Sequence, residues 1–261
     1  MPVSALIDGD GGPRHVPARF AMQVAIDNAK RTDMVITAVR NSAHFGATGC
    51  YTFMAAKKGL IGMACTVASS VRVAPTFGKE AKLGTDPWSF AAPTTDRPPF
   101  LLDMATTTVA AGRIRNKGNE GLPCPPDWVL DKDGLPSTDL LEAREKGEFL
   151  TSLGGSPENS SYKGYRLKVM VNILGSCLSG ASLITDPLHA KKPQDNDIGH
   201  CFIAISPGLV RDRKEFTADV TRFCNYLRAT KPVDPVWWWR VIRRGTTRRS
   251  AGRKGSRSAR A

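Results

Sequence analysis

The chain has 261 residues, of which 41% are apolar, 23% charged and 7% aromatic, a globular composition that excludes a disordered, collagen-like or disulfide-knotted protein. The length suffices for one large or two ordinary domains with a real core. The net charge of +13 is uneven: nine cations and no acid lie in residues 236–261, so residues 1–235 carry only +4 and present no strongly basic face.

Residues 17–31 are predicted helical, because Pro17 suits a first turn and Phe20, Val24, Ala25 and Ala29 recur at helical spacing. Met34–Val39 is a short β-branched run, read as a buried strand. It breaks at the polar, glycine-tipped stretch Arg40–Gly46, after which Ala47–Lys58 resumes as helix with Gly59 as its stop. Leu60–Ala68 is a second strand, followed by Ser69, Ser70 and a connection bearing Pro75 and Gly78 that leads to Gly84-Thr85-Asp86-Pro87. Trp88–Ala92 and Phe100–Ala105 are further strands, and Thr106–Ile114 is expected to open a helix. Asn116–Thr138 reads as an ordered excursion turning at Asp133-Gly134, and residues 140–161 as a polar, mobile stretch. Tyr162–Leu183 carries the longest helical pattern, with Leu167, Met170, Val171, Leu174 and Leu178 on one face. Gly199–Ile205 is a strand, and Asp212–Ala229 a final amphipathic helix.

Alternating helices and strands argue for an α/β or α+β domain. No GxGxxG follows a predicted strand and no GxxxxGK[ST] occurs, so a nucleotide would have to bind without those loops. The six cysteines show no CxxC and the four histidines no HExxH, so free thiols in a reducing compartment are expected and local spacing gives metal catalysis no support. No run approaches the roughly 20 apolar residues of a membrane-spanning helix, and the amino terminus lacks a signal-peptide layout, so a cytoplasmic protein is expected.

His44 is the leading chemical candidate, since a loop histidine ahead of a helix can exchange protons near neutral pH; its plainer role is to hydrogen-bond the backbone. Asp103 closes an apolar run where α/β ligand sites gather, or else caps a helix starting at Thr106. Lys163 heads the long helix and could hold a phosphate or carboxylate, or be a solvated surface lysine. Gly84–Pro87 could cradle a ligand or be a tight turn, and Ser69 and Ser70 could donate hydrogen bonds to one. Trp237, Trp238 and Trp239 beside cations could stack on nucleic acid, a role expected to be absent.

Five segments coincide in order: Asn41-Ser42-Ala43-His44-Phe45-Gly46; Pro75 through Gly84-Thr85-Asp86-Pro87; Leu102-Asp103-Met104-Ala105-Thr106; Asp127 through Gly134 with Pro136–Asp139; and Tyr162-Lys163-Gly164-Tyr165. Over residues 5–233 the chain resembles the type-2 malate/L-lactate dehydrogenases, which include ureidoglycolate, sulfolactate and diketogulonate enzymes. The resemblance implies a mixed α/β, non-Rossmann nicotinamide-binding fold, a homodimer, and hydride transfer between NAD or NADP and a small 2-oxo or 2-hydroxy acid. It puts His44 on the acid/base histidine, Ser69 (or its neighbours Ala68 and Ser70), Asp103, Met104 and Ala105 on cofactor contacts, and Lys163 on the cofactor-binding lysine.

The family pattern has Asn where Asp86 stands and Gly where Arg166 stands, and it places a substrate-binding segment with a carboxylate-holding arginine ahead of the position matching Met1. On that pattern residues 1–32 are the remnant of a helical substrate region, 33–235 the catalytic core and 236–261 a basic tail. Three tryptophan codons read one base earlier give Val-Val-Ala when arginine follows, so the tail is expected to be a frameshift product. The rival expectations are a catalytically inactive relative that keeps only the fold or a dimer surface, and a nucleic-acid binder acting through its tail.

Overall fold

The structure, a computed structural model, describes residues 2–140, 150–184 and 197–233. Among these, six strands form one sheet: β1 (Ser4–Asp8), β2 (Met34–Arg40), β3 (Ile61–Thr66), β4 (Trp88–Ala92), β5 (Phe100–Met104) and, after the small hairpin β6 (Val129–Leu130) and β7 (Pro136–Ser137), β8 (His200–Ile205). The order across the sheet is β1-β2-β8-β3-β4-β5. β1 and β2 pair in parallel and the other neighbours antiparallel, which is no doubly wound sheet and leaves no Rossmann crevice. The helices are α1 (His15–Thr32), α2 (Gly49–Ala56), α3 (Ala111–Asn119), α4 (Ser161–Asn172) and α5 (Arg213–Arg228).

Helices α1 and α2 cover one face of the sheet. There Ala18, Ala21, Met22, Ala25, Ile26 and Ala29 of α1 are buried, while Phe20 of the predicted apolar face is exposed. Alanines let the helix axis come close to the strands, close enough for Thr37 Oγ1 on β2 to donate to the Ala21 carbonyl at 3.1 Å. On the opposite face Val171 of α4 packs on Cys65 and Cys201, which face each other across β3 and β8. A third cluster, with Val73, Ile114, Cys124, Val129 and Leu150 at its centre, lies under the β6–β7 hairpin.

Three expectations change. The helix expected from Thr106 begins at Ala111, because Thr106 and Thr108 spend their amides on the Thr85 and Thr151 carbonyls. Of the stretch read as polar and mobile, Leu150, Thr151, Ser152 and Ser156 are buried, and residues 141–149 lie outside the described residues. The long helical pattern splits into α4 and a π-helical turn, Ile173–Cys177, and its buried stripe is Gly164, Lys168, Val171 and Gly175 rather than the leucines. Leu178 is 54% exposed. Small residues govern this face: a Cβ on Gly164 would strike the Leu153 backbone, and one on Gly199 the Gly175 carbonyl. The turn at Asp133-Gly134 and the helix at Asp212–Ala229 are found as expected, the latter with Asp212 accepting from the Lys214 and Glu215 amides. The tail and its tryptophans lie outside the described residues.

Candidate active site

Strand register sets the site. Val39 faces His200, His200 faces Thr66, Cys65 faces Trp88 and Trp88 faces Met104, so β2, β3 and β5 all finish at one end of the sheet. The His44 loop leaves β2 there, the Ser69 turn leaves β3, and Asp103–Ala105 close β5. Lys163 enters from elsewhere, on the first turn of α4, which lies against Leu153 and contacts Thr76 through Ser161.

His44 is exposed, and its Nδ1 accepts from the Gly46 amide at 3.3 Å. The residues around it are fixed from below by His200, a residue that sequence inspection did not single out. His200 is fully buried; its Nδ1 is 2.6 Å from Thr66 Oγ1 and its Nε2 3.1 Å from Ser42 Oγ. Its ring stacks on Phe45, with centroids 4.4 Å apart and planes 13° from parallel. Burial pushes His200 down to about 3, so it is neutral and each ring nitrogen has a hydroxyl partner. The Phe45 carbonyl in turn accepts from Tyr51 Oη at 2.7 Å and meets His15 Nδ1 at 2.6 Å. Both flanks of His44 are thereby held while its own ring faces outward.

Asp103 points to the α2 side of the sheet and lies beside Gly49 at the start of that helix, not at the start of a helix at Thr106. A Cβ on Gly49 would come within 2.7 Å of its Oδ2. Asp103 is exposed, and partial desolvation raises its carboxyl above the usual range, opposed by the Gly49 amide. Met104 and Ala105 are partly exposed, and Ser69 and Lys163 are exposed.

Asp86 does not reach toward a ligand from its loop but turns inward. Its Oδ1 accepts from the Ala68 amide at 3.0 Å, and its Oδ2 accepts from the Gly84 amide at 3.2 Å and Asn172 Nδ2 at 3.1 Å. Its backbone φ of 36° lies in the left-handed region, which Asp tolerates better than most residues. Beneath it Lys168, 0% exposed, donates from Nζ to the Gly84 carbonyl at 3.2 Å and to Thr106 Oγ1 at 3.1 Å. Burial lowers Lys168 to about 8, with Asp86 opposing the shift; burial also raises Asp86, opposed by the Ala68 amide, Lys168 and Asn172. The helical spacing Gly164, Lys168, Val171, Gly175 was the available signal that Lys168 shares the buried face.

Exposed Ser69 and Lys163 offer a hydroxyl donor and an ammonium, which suit the sugar and phosphates of a nucleotide. Thr48 Oγ1, at the head of α2 beside the His44 loop, is buried without a protein partner. Among the described residues no three His, Cys, Asp or Glu side chains converge as metal ligands.

The sequence profile described as malate/L-lactate dehydrogenase matches residues 1–252. The chain is 37% identical over 233 residues to a malate dehydrogenase of Pyrococcus abyssi, covering 88% of this chain and 63% of that protein. It is 33% identical over 234 residues to an L-sulfolactate dehydrogenase of Methanocaldococcus jannaschii, covering 89% of this chain and 65% of the relative. The chain therefore spans less than two thirds of the length of these curated relatives. The crystal structure of malate dehydrogenase from Entamoeba histolytica superposes with a TM-score of 0.81 at 36% identity, covering 90% of this chain and 67% of that one. The chain belongs to the malate/L-lactate dehydrogenase family.

Proposed function

We propose that this chain carries the hydride-transfer site of an NAD- or NADP-dependent 2-hydroxy-acid dehydrogenase, with His44 as acid/base and Ser69, Asp103, Met104, Ala105 and Lys163 as cofactor contacts. The observation that carries this is the convergence of the His44 loop, the Ser69 turn and the end of β5 at one end of the sheet. The nicotinamide supplies the hydride when bound. Reduction of a 2-oxo acid leaves an alkoxide, which His44 protonates; oxidation of the 2-hydroxy acid needs its neutral ring as base.

Proton exchange at Nε2 in either direction leaves a hydrogen on Nδ1, facing the Gly46 amide. At 3.3 Å that contact is long, so giving it up on substrate binding costs little. The fixed positions of Ser42 and Phe45 keep the loop backbone on either side of His44 in place while the contact is exchanged. His200, neutral down to about pH 3, does not compete with His44 for the proton. Lys163 holds a cofactor phosphate by charge, and Ser69 donates a hydrogen bond beside it. Malate and sulfolactate dehydrogenases among the relatives favour a small acid with a second anionic group as substrate, and the reading adds a homodimer in the cytoplasm.

Titration with NADH and NADPH followed by fluorescence, then turnover with oxaloacetate, pyruvate and sulfopyruvate, tests the assignment. His44→Ala should lower kcat by about 10²–10⁴-fold with unchanged cofactor affinity and melting temperature. Turnover that survives the substitution removes His44 from the chemistry. Cofactor binding without turnover of any 2-oxo acid would favour the inactive relative instead.

A further inference from the structure

The Asp86–Lys168 pair has no part in the chemistry above, yet every cofactor-contact segment touches it or adjoins a residue that does. Ala68, one residue before Ser69, donates to Asp86; Thr106, one residue after Ala105, bonds both Lys168 Nζ and the Asp86 carbonyl; Lys168 and Asn172 belong to α4, which carries Lys163. Gly84 closes the arrangement, because a Cβ there would overlap that of Ala68, so the 84–87 loop and the Ser69 turn already lie in contact. The titratable groups facing the pair are each other and the Cys65 thiol, itself buried against Cys201.

A methionine at 168 would fill a similar volume between Gly164 and Val171 without taking an ammonium out of water. Asp86 and Lys168 attract each other through charge and share Gly84 and Thr106 as partners, and buried opposite charges often contribute no more stability than such apolar filler. What they add is direction: both carboxylate oxygens accept from named partners, and the ammonium donates to the Gly84 carbonyl and Thr106 Oγ1.

We propose that Asp86 and Lys168 form a buried charge clamp that sets the relative positions of the Ser69 turn, the Met104–Ala105 strand end and helix α4, and are thereby positioning residues for the cofactor end of the site. The cofactor assignment itself rests on the proposed function, whereas the clamp can be tested without it.

The experiment measures NADH and NADPH affinity, kcat at saturating cofactor, and amide hydrogen exchange in the unsubstituted chain, Asp86→Asn, Lys168→Met and the double variant. The Ala68 amide is the reporter, since Lys168 does not bond it. In Lys168→Met its exchange should accelerate and cofactor affinity should fall roughly 2- to 30-fold, the range for residues acting through a packed network, with kcat little changed. The double variant, with no unpaired charge, should recover most of that affinity. Should Lys168→Met fail to fold, Asp86→Asn, which keeps an oxygen for Ala68, serves with the Thr106 amide as reporter. Unchanged Ala68 or Thr106 exchange in a folded single variant, or affinity as in the unsubstituted chain, overturns the clamp. If the unsubstituted chain binds neither cofactor, the cofactor reading fails while hydrogen exchange still decides whether the segments are coupled.

Discussion

The His44 loop and the Ser69 turn leave the same end of the sheet, but opposite chemistry holds them. Directly beneath His44 the buried support is neutral: His200 between two hydroxyls, with Phe45 on its face and Tyr51 bonded to the Phe45 carbonyl. Beneath Ser69 they are a carboxylate and an ammonium, both fully buried. A neutral support fixes shape by packing, whereas a charged one fixes direction and depends on both partners staying ionised. The fully buried charges lie at the Ser69 turn, whereas the carboxylates of Asp8 and Asp197 meet the His44 loop only at its start, through Asn41.

The sharpest test of the difference is acid. His200 sits at about 3 in the folded chain against 6.5 when unfolded, so the unfolded chain binds more protons between those values. Stability is complete above pH 6.5 and is lost as pH falls toward 3, by up to about 5 kcal/mol. Denaturant titrations of the unsubstituted chain and His200→Gln from neutral into acid pH should show a flatter acid limb in the variant; equal slopes would break the comparison.

The alkaline side should report the other half. Lys168 is lowered from 10.5 to about 8, so the unfolded chain binds the extra proton and stability rises as pH climbs through that window, by up to about 3 kcal/mol. Tyr51, raised to about 12, and Cys65 act in the opposite sense, so the quantity to measure is the difference in pH slope between the unsubstituted chain and Lys168→Met. A steric probe comes next: Gly84→Ala forces its loop off Ala68 and should cost about 1–3 kcal/mol, with loss of cofactor affinity by fluorescence. The smallest effect is expected from Ile26→Val, in the α1 core, at about 0.5–1.5 kcal/mol with cofactor affinity intact. A matching loss of affinity there would mean that the two regions are not separable.

The main strands and the limits of α1, α2 and α5 were legible because β-branched runs and glycine stops are local signals. The buried faces of α1 and of the Tyr162–Leu183 pattern were not: bulky Phe20 and Leu178 mark the apolar side by pattern, yet Ala18, Ala21, Ala25 and Ala29 are buried on α1, and Gly164, Lys168 and Gly175 on the later stretch. Close approach of a helix to backbone selects for small size, which a hydrophobicity pattern ranks below bulk. β1 passed unassigned for a related reason, since Ser4–Asp8 is short and gains its order from pairing with β2. At the site, motif order singled out His44, Ser69, Asp103 and Lys163. Residues that act through others, His200 and Lys168, carry no motif; they depend on pairings 134 and 84 residues apart in the chain.

Among the described residues β5 has β4 as its single neighbour, so the strand that ends in Asp103 and Met104 is also a border of the sheet. Its outer backbone groups form a template on which another extended chain could add, and Phe100 and Leu102 give that border an apolar side. A covering strand would remove this adhesive margin and also close off Asp103–Ala105. Access and solubility therefore pull in opposite directions along five residues, and a short strand with a carboxylate near its end is the compromise that this chain has kept.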